Sequence, residues 1–132
     1  MAAVRNMSMV MSEEKRALIA RIRSLPVQLE MLVNGLTDDE LTAHPLPDEW
    51  SIAQNVHHLA DVHMHYFIRL KYLLTEPSPV IKPFHQNDWA ETADAVSAQI
   101  GASLGIILGV HARFVNLIES LPDADWLREG IN

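Results

Sequence analysis

The sequence predicts an all-α protein, and three observations support this prediction. No stretch shows the sustained apolar and polar alternation that a half-buried strand needs. Long stretches instead repeat their apolar residues at spacings of three and four, which is the period of a helix packed on one face. Two proline pairs, Pro45 with Pro47 and Pro77 with Pro79, separate these stretches where helices must stop.

The composition predicts one globular domain over residues 1–132. An apolar content of 48% in 132 residues suffices for one core, and the formal charge of −7 without a basic run argues against nucleic acid or a membrane as partners. The absence of cysteine excludes disulfides and thiolate ligands. The apolar stretch 100–112 is too short for a membrane span and no secretory leader is visible, so we expect a cytoplasmic protein.

The first long helix is predicted from Ser12, as its N-cap, to Asn34. Glycine at position 35 provides the stop, and Pro26 is expected to kink or restart the helix. Residues 1–11 are predicted to be disordered.

Two capping-box spacings predict the next helical starts. Thr37 and Glu40 open a short helical turn. Ser51 and Gln54 begin a second long helix, which is expected to run to about Thr75.

A long loop with one short helical turn is predicted over 76–94, followed by a third long helix from about Ala95 to Leu121. The core stripe of this helix is expected to contain Ile100, Leu104, Ile107, His111, Phe114, Ile118 and Leu121. Its opposite face is made of glycine and alanine, which either permits close approach of another helix or simply weakens this one.

The second helix carries a polar stripe opposite its apolar face. His57, His58 and Asp61 are the best cluster of metal ligands within one helix, and His58 also lies two turns from His65. Such a stripe could gather a metal or a polar substrate, although a solvated helix face would show the same pattern. His63, like His111 in the third helix, lies on the apolar side, which favours a buried structural role.

A long run of residues carries a resemblance to a known family. The run WSIAQNVHHLADVHM begins at Trp50, and it is followed by IRLK, LTE, IKPF, WAE and HARF, the last beginning at His111. In order and spacing, from about Leu41 to Leu127, this resembles the YfiT-like branch of the DinB superfamily.

The resemblance implies a four-helix bundle, usually dimeric, that binds a divalent metal, commonly nickel or zinc, through three histidines. The first family ligand falls on His58. The other two belong to a His-x-x-x-His pair on the last helix, and nothing after Trp126 matches that segment. We therefore expect about three long helices here, with the last helix missing.

The resemblance further implies a hydrolase, or a transferase that joins a low-molecular-weight thiol to electrophilic small molecules. Asp61, His65, Arg69 and Tyr72 share the stripe of His58 and are candidates for supporting the metal ligand or for binding substrate. Two alternatives stay open. The chain is a non-catalytic binding or dimerisation module with a decayed metal site, or it is a piece of a longer protein.

Overall fold

The computed structural model describes residues 2–122, with side chains described from residue 13 onward. Five helices follow one another in this range, and no strand occurs within it, which confirms the all-α prediction. They are α1 (Ala2–Val33), α2 (Asp38–Thr42), α3 (Ile52–Thr75), α4 (Gln86–Trp89) and α5 (Gly101–Ser120). The predictions for the chain beyond Pro122 lie outside the described residues.

Helix α5 lies between α1 and α3 and packs against both. At one end, Ile107 is completely buried together with Val33 of α1 and with Val56 and Ala60 of α3. At the other end, a second cluster forms around Val115. The predicted stripe of α5 is confirmed, because its seven members are buried or half-buried.

The outer face of α5 has no close neighbour among the described residues. A Cβ atom added at Gly101, Gly105 or Gly109 would meet no atom within 4 Å, so none of the described helices uses these glycines for a close approach. By length and composition α5 is also apolar enough to cross a membrane, which the shorter estimate from the sequence missed. In this fold, however, its other face forms the bundle core.

Helix α1 begins at Ala2 rather than at Ser12 and continues through the segment predicted to be disordered. No glycine or proline precedes Pro26, so no helix-breaking residue separates this segment from the rest of α1. Pro26 also lies within α1 and does not end it. The predicted stop is confirmed at Gly35, whose φ of 81° is a left-handed conformation that glycine adopts easily.

Pro26 leaves a main-chain acceptor free, and another helix supplies the donor. Proline has no N–H, so the carbonyl of Ile22 four residues earlier lacks its helical partner. The ring of His111 on α5 approaches this oxygen, with Nδ1 at 2.8 Å. The hydrogen bond joins α1 to α5 where the proline would otherwise leave a half-buried acceptor unsatisfied.

Both predicted capping boxes are present. Thr37 and Glu40 close the start of α2, and Ser51 and Gln54 close the start of α3, in each case with reciprocal side-chain and main-chain hydrogen bonds. These interactions depend only on neighbours three residues apart, so the sequence predicts them directly.

Helix α5 begins at Gly101, six residues later than predicted, and turns occupy most of the preceding segment. Two side chains of α3 hold carbonyl groups of this segment. Gln54 donates from Nε2 to the oxygen of Ala90 at 2.8 Å, and His57 Nε2 lies 2.9 Å from the oxygen of Ser97. The turns are therefore stabilised by contacts with α3 that helical periodicity does not reveal.

A candidate ligand site on one face of α3

The polar stripe of α3 is not a simple solvated face. Gln54, at its N-terminal end, is only 2% exposed because it is bonded to the 90–97 segment, while His58, Asp61, His65 and Arg69 are half-buried. Tyr72, at the other end, is exposed. The stripe therefore faces the chain that connects α3 to α5.

His57 is a structural residue, although its neighbours made it a candidate ligand. Its Nδ1 lies 2.7 Å from Ser103 Oγ, and its Nε2 lies 2.9 Å from the carbonyl oxygen of Ser97. Because a carbonyl can only accept, Nε2 carries the proton and Nδ1 accepts from the serine hydroxyl. Both ring nitrogens are thus engaged, and His57 is removed from the candidate metal ligands.

His58 points to the other side of α3 and has a different environment. Its ring packs against Trp50, with centroids 4.7 Å apart. No hydrogen bond among the described residues engages its nitrogens, in contrast to those of His57. Burial lowers the pKa of His58, and the negative charge of Asp61 partly opposes this shift. The imidazole therefore favours its neutral form, which is the form that binds metals.

Asp61 lies one turn further along the same stripe. Burial is the main cause that raises its pKa, and the charge of Asp94 acts in the same direction. The nearby His65, followed by His57 and His58, lowers it in part. Asp61 is thus a half-buried carboxylate with histidines around it, as its spacing in the sequence predicts.

A cavity of about 390 Å³ lies between the C-terminal half of α3 and the chain that follows it. Its aromatic wall begins with His65, whose ring stacks on Phe84 at 4.0 Å and meets Trp89 at 4.7 Å. One turn further along α3, Arg69 donates from Nη2 to the carbonyl oxygen of Lys82 at 3.1 Å, which joins the helix to the opposite wall. The cavity is lined by His65, Ile68, Arg69, Tyr72, Val80, Ile81, Lys82, Pro83, Phe84, His85 and Trp89.

The structure thus brings three of the predicted site residues, His65, Arg69 and Tyr72, to one cavity, while His58 and Asp61 precede them on α3. The opposite wall, which includes Lys82, is not among the site residues predicted from the sequence. The signal for it was the IKPF and WAE segments, which carried the resemblance but had no chemical role assigned.

The described residues do not complete a metal site. Among side chains 13–122, no three histidine, aspartate or glutamate residues come together in a way that could hold an ion. A catalytic zinc site has three protein ligands and one open position. His58 fits as one such ligand, but one ligand does not make a site. No catalytic step through a metal therefore follows from these residues alone.

His63 and His111 have the structural roles that their apolar positions predict. His63 Nδ1 is hydrogen-bonded to the carbonyl of Leu59, and His111 Nδ1 to that of Ile22. Their ring centroids lie 4.5 Å apart. Nε2 of His111 is buried and has no hydrogen-bond partner among the described residues. A second proton on this ring would therefore enter a site without an acceptor.

We expect the stability of the protein to fall as the pH decreases below about 6.5, the usual pKa of histidine. Burial is the main cause that lowers the pKa of His111 in the folded chain. Below the unfolded pKa, the unfolded chain binds a proton that the folded chain does not, and stability is lost until the pH reaches the lower folded pKa. Urea unfolding between about pH 8 and pH 5 measures this slope.

The variant His111→Gln isolates this contribution, since it removes the titrating ring and keeps a hydrogen-bond donor. It should be less stable than the wild type at high pH and show a shallower fall below about pH 6.5. Parallel curves for the two proteins would show that His111 is not the group responsible.

The fold and the site together define a helical bundle with a histidine-bearing polar stripe beside a small-molecule cavity. The sequence model of the DinB superfamily matches residues 21–132. The chain therefore belongs to the DinB superfamily, as the run from Trp50 predicts.

Named relatives place the chain within this superfamily. It is 45% identical over 117 residues to a Geobacillus thermodenitrificans protein named "Putative metal-dependent hydrolase", covering 89% of this chain and 66% of that protein. It is 34% identical over 119 residues to "Putative metal-dependent hydrolase YfiT" of Bacillus subtilis, covering 90% of this chain and 67% of YfiT. The chain thus spans about two thirds of the length of these relatives.

A solved structure is similar in fold. It is described as "YfiT from Bacillus subtilis is a probable metal-dependent hydrolase with an unusual four-helix bundle topology". The TM-score is 0.83 at 34% identity, and the match covers 88% of this chain and 66% of that one. The helices described here thus correspond to part of a YfiT-like bundle.

Proposed function

We propose that this chain is part of a metal-dependent enzyme of the YfiT type that hydrolyses small molecules. The observation that carries the proposal is the arrangement of α3, where the half-buried His58 shares one face with a cavity of small-molecule size, and its ring nitrogens make no hydrogen bond to the described residues. The names of the relatives support the reaction class. Transfer of a low-molecular-weight thiol to an electrophilic substrate is the related reaction that the same scaffold would serve.

In this proposal His58 is one ligand of a divalent ion, nickel or zinc. The chemistry that the ion would supply, if bound, is a lowered pKa for a water or thiol beside it, and thus a nucleophile near neutral pH. Asp61 would orient a neighbouring group through its carboxylate, and the cavity from His65 to Tyr72 would hold the substrate. A cytoplasmic homodimer is the proposed form of the protein.

The metal affinity of the purified chain tests this proposal. Calorimetric titration of untagged protein with Ni²⁺ and Zn²⁺ should detect binding that weakens at least about tenfold in His58→Ala. His44→Ala is the matched control, because His44 is exposed and, among the described residues, is hydrogen-bonded to the main chain of Glu49 alone. This control should bind as the wild type does.

A second candidate function is favoured by one observation, the lack of three gathered ligands among residues 13–122. In that case the chain is a non-catalytic helical-bundle module that binds a partner or dimerises. Folded protein that binds neither ion would contradict the metal-dependent proposal and support this module. Binding that is unchanged in His58→Ala would contradict the role of His58 as a ligand.

A further inference from the structure

We propose that the cavity between α3 and the 80–89 segment binds an aromatic carboxylate, that is, a small anion with a flat apolar body. An aromatic carboxylate would be the substrate class of the function proposed above. Only the word substrate rests on that function. The binding itself is inferred from the cavity and requires no metal.

The charge of the cavity is opposite to that of the chain. Among the described residues, Arg69 and Lys82 line it and no aspartate or glutamate does, although the whole chain has a formal charge of −7. The salt bridge among the described side chains joins Arg23 to Glu119, far from this cavity in sequence and absent from its lining. The lining therefore contains two basic residues and, in the part of the chain that the structure describes, no carboxylate.

Arg69 is held in place by neutral groups. Its Nη2 donates to the carbonyl oxygen of Lys82, and its guanidinium lies 5.9 Å from the ring centroid of Tyr66. Its Nε is buried and has no partner among the described residues. These contacts fix the side chain, and no carboxylate among the described residues forms a salt bridge with it. A planar guanidinium suits the two oxygens of a carboxylate better than it suits a neutral group.

The aromatic side chains of the 80–89 segment are the reason for proposing a ligand with a flat apolar body. Phe84 and Trp89 lie with their ring centroids 5.2 Å apart, and Phe84 stacks on His65. Aromatic walls of this kind bind ring systems by offset or edge contacts. The volume of about 390 Å³ lies in the usual range for small-molecule sites. A small inorganic anion would use the cations but leave this apolar surface without a contact.

The test measures binding of 2-naphthoate to metal-free protein by calorimetry, with EDTA present. We compare it with 2-naphthamide, a neutral molecule of nearly the same shape, and with inorganic phosphate. We expect 2-naphthoate to bind at least about tenfold more tightly than 2-naphthamide, because only the former forms charge-assisted hydrogen bonds. Phosphate should not displace it at equal concentration.

Three variants locate the binding. Arg69→Gln should weaken 2-naphthoate binding at least about tenfold, and Lys82→Gln, at an exposed position, should weaken it to a smaller extent. Arg23→Gln removes a positive charge outside the cavity and should leave the affinity unchanged. Circular dichroism checks that each variant is folded, and Lys82→Gln keeps the test decisive if Arg69→Gln does not fold.

Each other outcome would overturn the proposal. If 2-naphthamide bound as tightly as 2-naphthoate, the cavity would not select for a negative charge. If phosphate at equal concentration displaced 2-naphthoate, the cavity would not select for an aromatic body. Equal effects of Arg69→Gln and Arg23→Gln would place the binding elsewhere. The assay contains no metal, so 2-naphthoate should bind to His58→Ala as tightly as to the wild type. The outcome of this test is therefore independent of whether the proposed enzyme function is correct.

Discussion

Replacing Ile107 by alanine is expected to lower the free energy of unfolding by about 2–5 kcal/mol. Ile107 is 0% exposed and lies in the cluster that joins α5 to α1 and α3. The truncation removes apolar contacts and leaves a cavity, and the three surrounding helices can only partly collapse into it. Urea unfolding followed by circular dichroism at about pH 7.5 measures the loss.

The next residue in the chain provides the matched control. Leu108 is 59% exposed on the outer side of α5, so Leu108→Ala should change the free energy of unfolding by less than about 1 kcal/mol. Comparable losses for the two variants would mean that another surface covers Leu108 in solution, and the described packing of α5 would then be incomplete.

The starts of α2 and α3 could be predicted from the sequence because they depend on short-range chemistry. Thr37 with Glu40 and Ser51 with Gln54 satisfy the first N–H groups of their helices through neighbours three residues away. Gly35 stops α1 for an equally local reason, its positive φ. The core stripe of α5 follows from periodicity, since one face must be buried whichever helices cover it.

The start of α5 and the cavity could not be predicted in this way, because both depend on contacts between distant segments. The turns before Gly101 are held by Gln54 and His57 of α3, whose side-chain hydrogen bonds compete with helix formation. The cavity likewise exists only because Phe84 and Lys82 return to the face of α3. Periodicity placed Arg69 on this face but contained no information about the wall opposite it.

Two histidines of α3 show that residue type and spacing alone do not identify a metal ligand. His57 and His58 are adjacent and identical, so their spacing from Asp61 made both appear to be ligands. A rotation of about 100° per residue places them in different environments. His57 points toward Ser103 of α5, and His58 points toward Trp50.

This difference predicts losses of stability of different size for the same substitution at two neighbouring positions. His57→Ala should lower the free energy of unfolding by about 2–4 kcal/mol, because it leaves the buried Ser103 hydroxyl and the Ser97 carbonyl without their partner. His58→Ala should cost less than about 1 kcal/mol, since it breaks no hydrogen bond among the described residues. Urea unfolding of both variants at about pH 7.5 gives the comparison.

The double variant His57→Ala with Ser103→Ala tests the cause of the larger loss. If the 2.7 Å hydrogen bond between the two side chains is the origin, the combined loss must be smaller than the sum of the single losses. A purely additive result would assign the stability to packing of the imidazole. A larger loss for His58→Ala than for His57→Ala would reverse the two roles, so that His57 would again be the candidate ligand on α3.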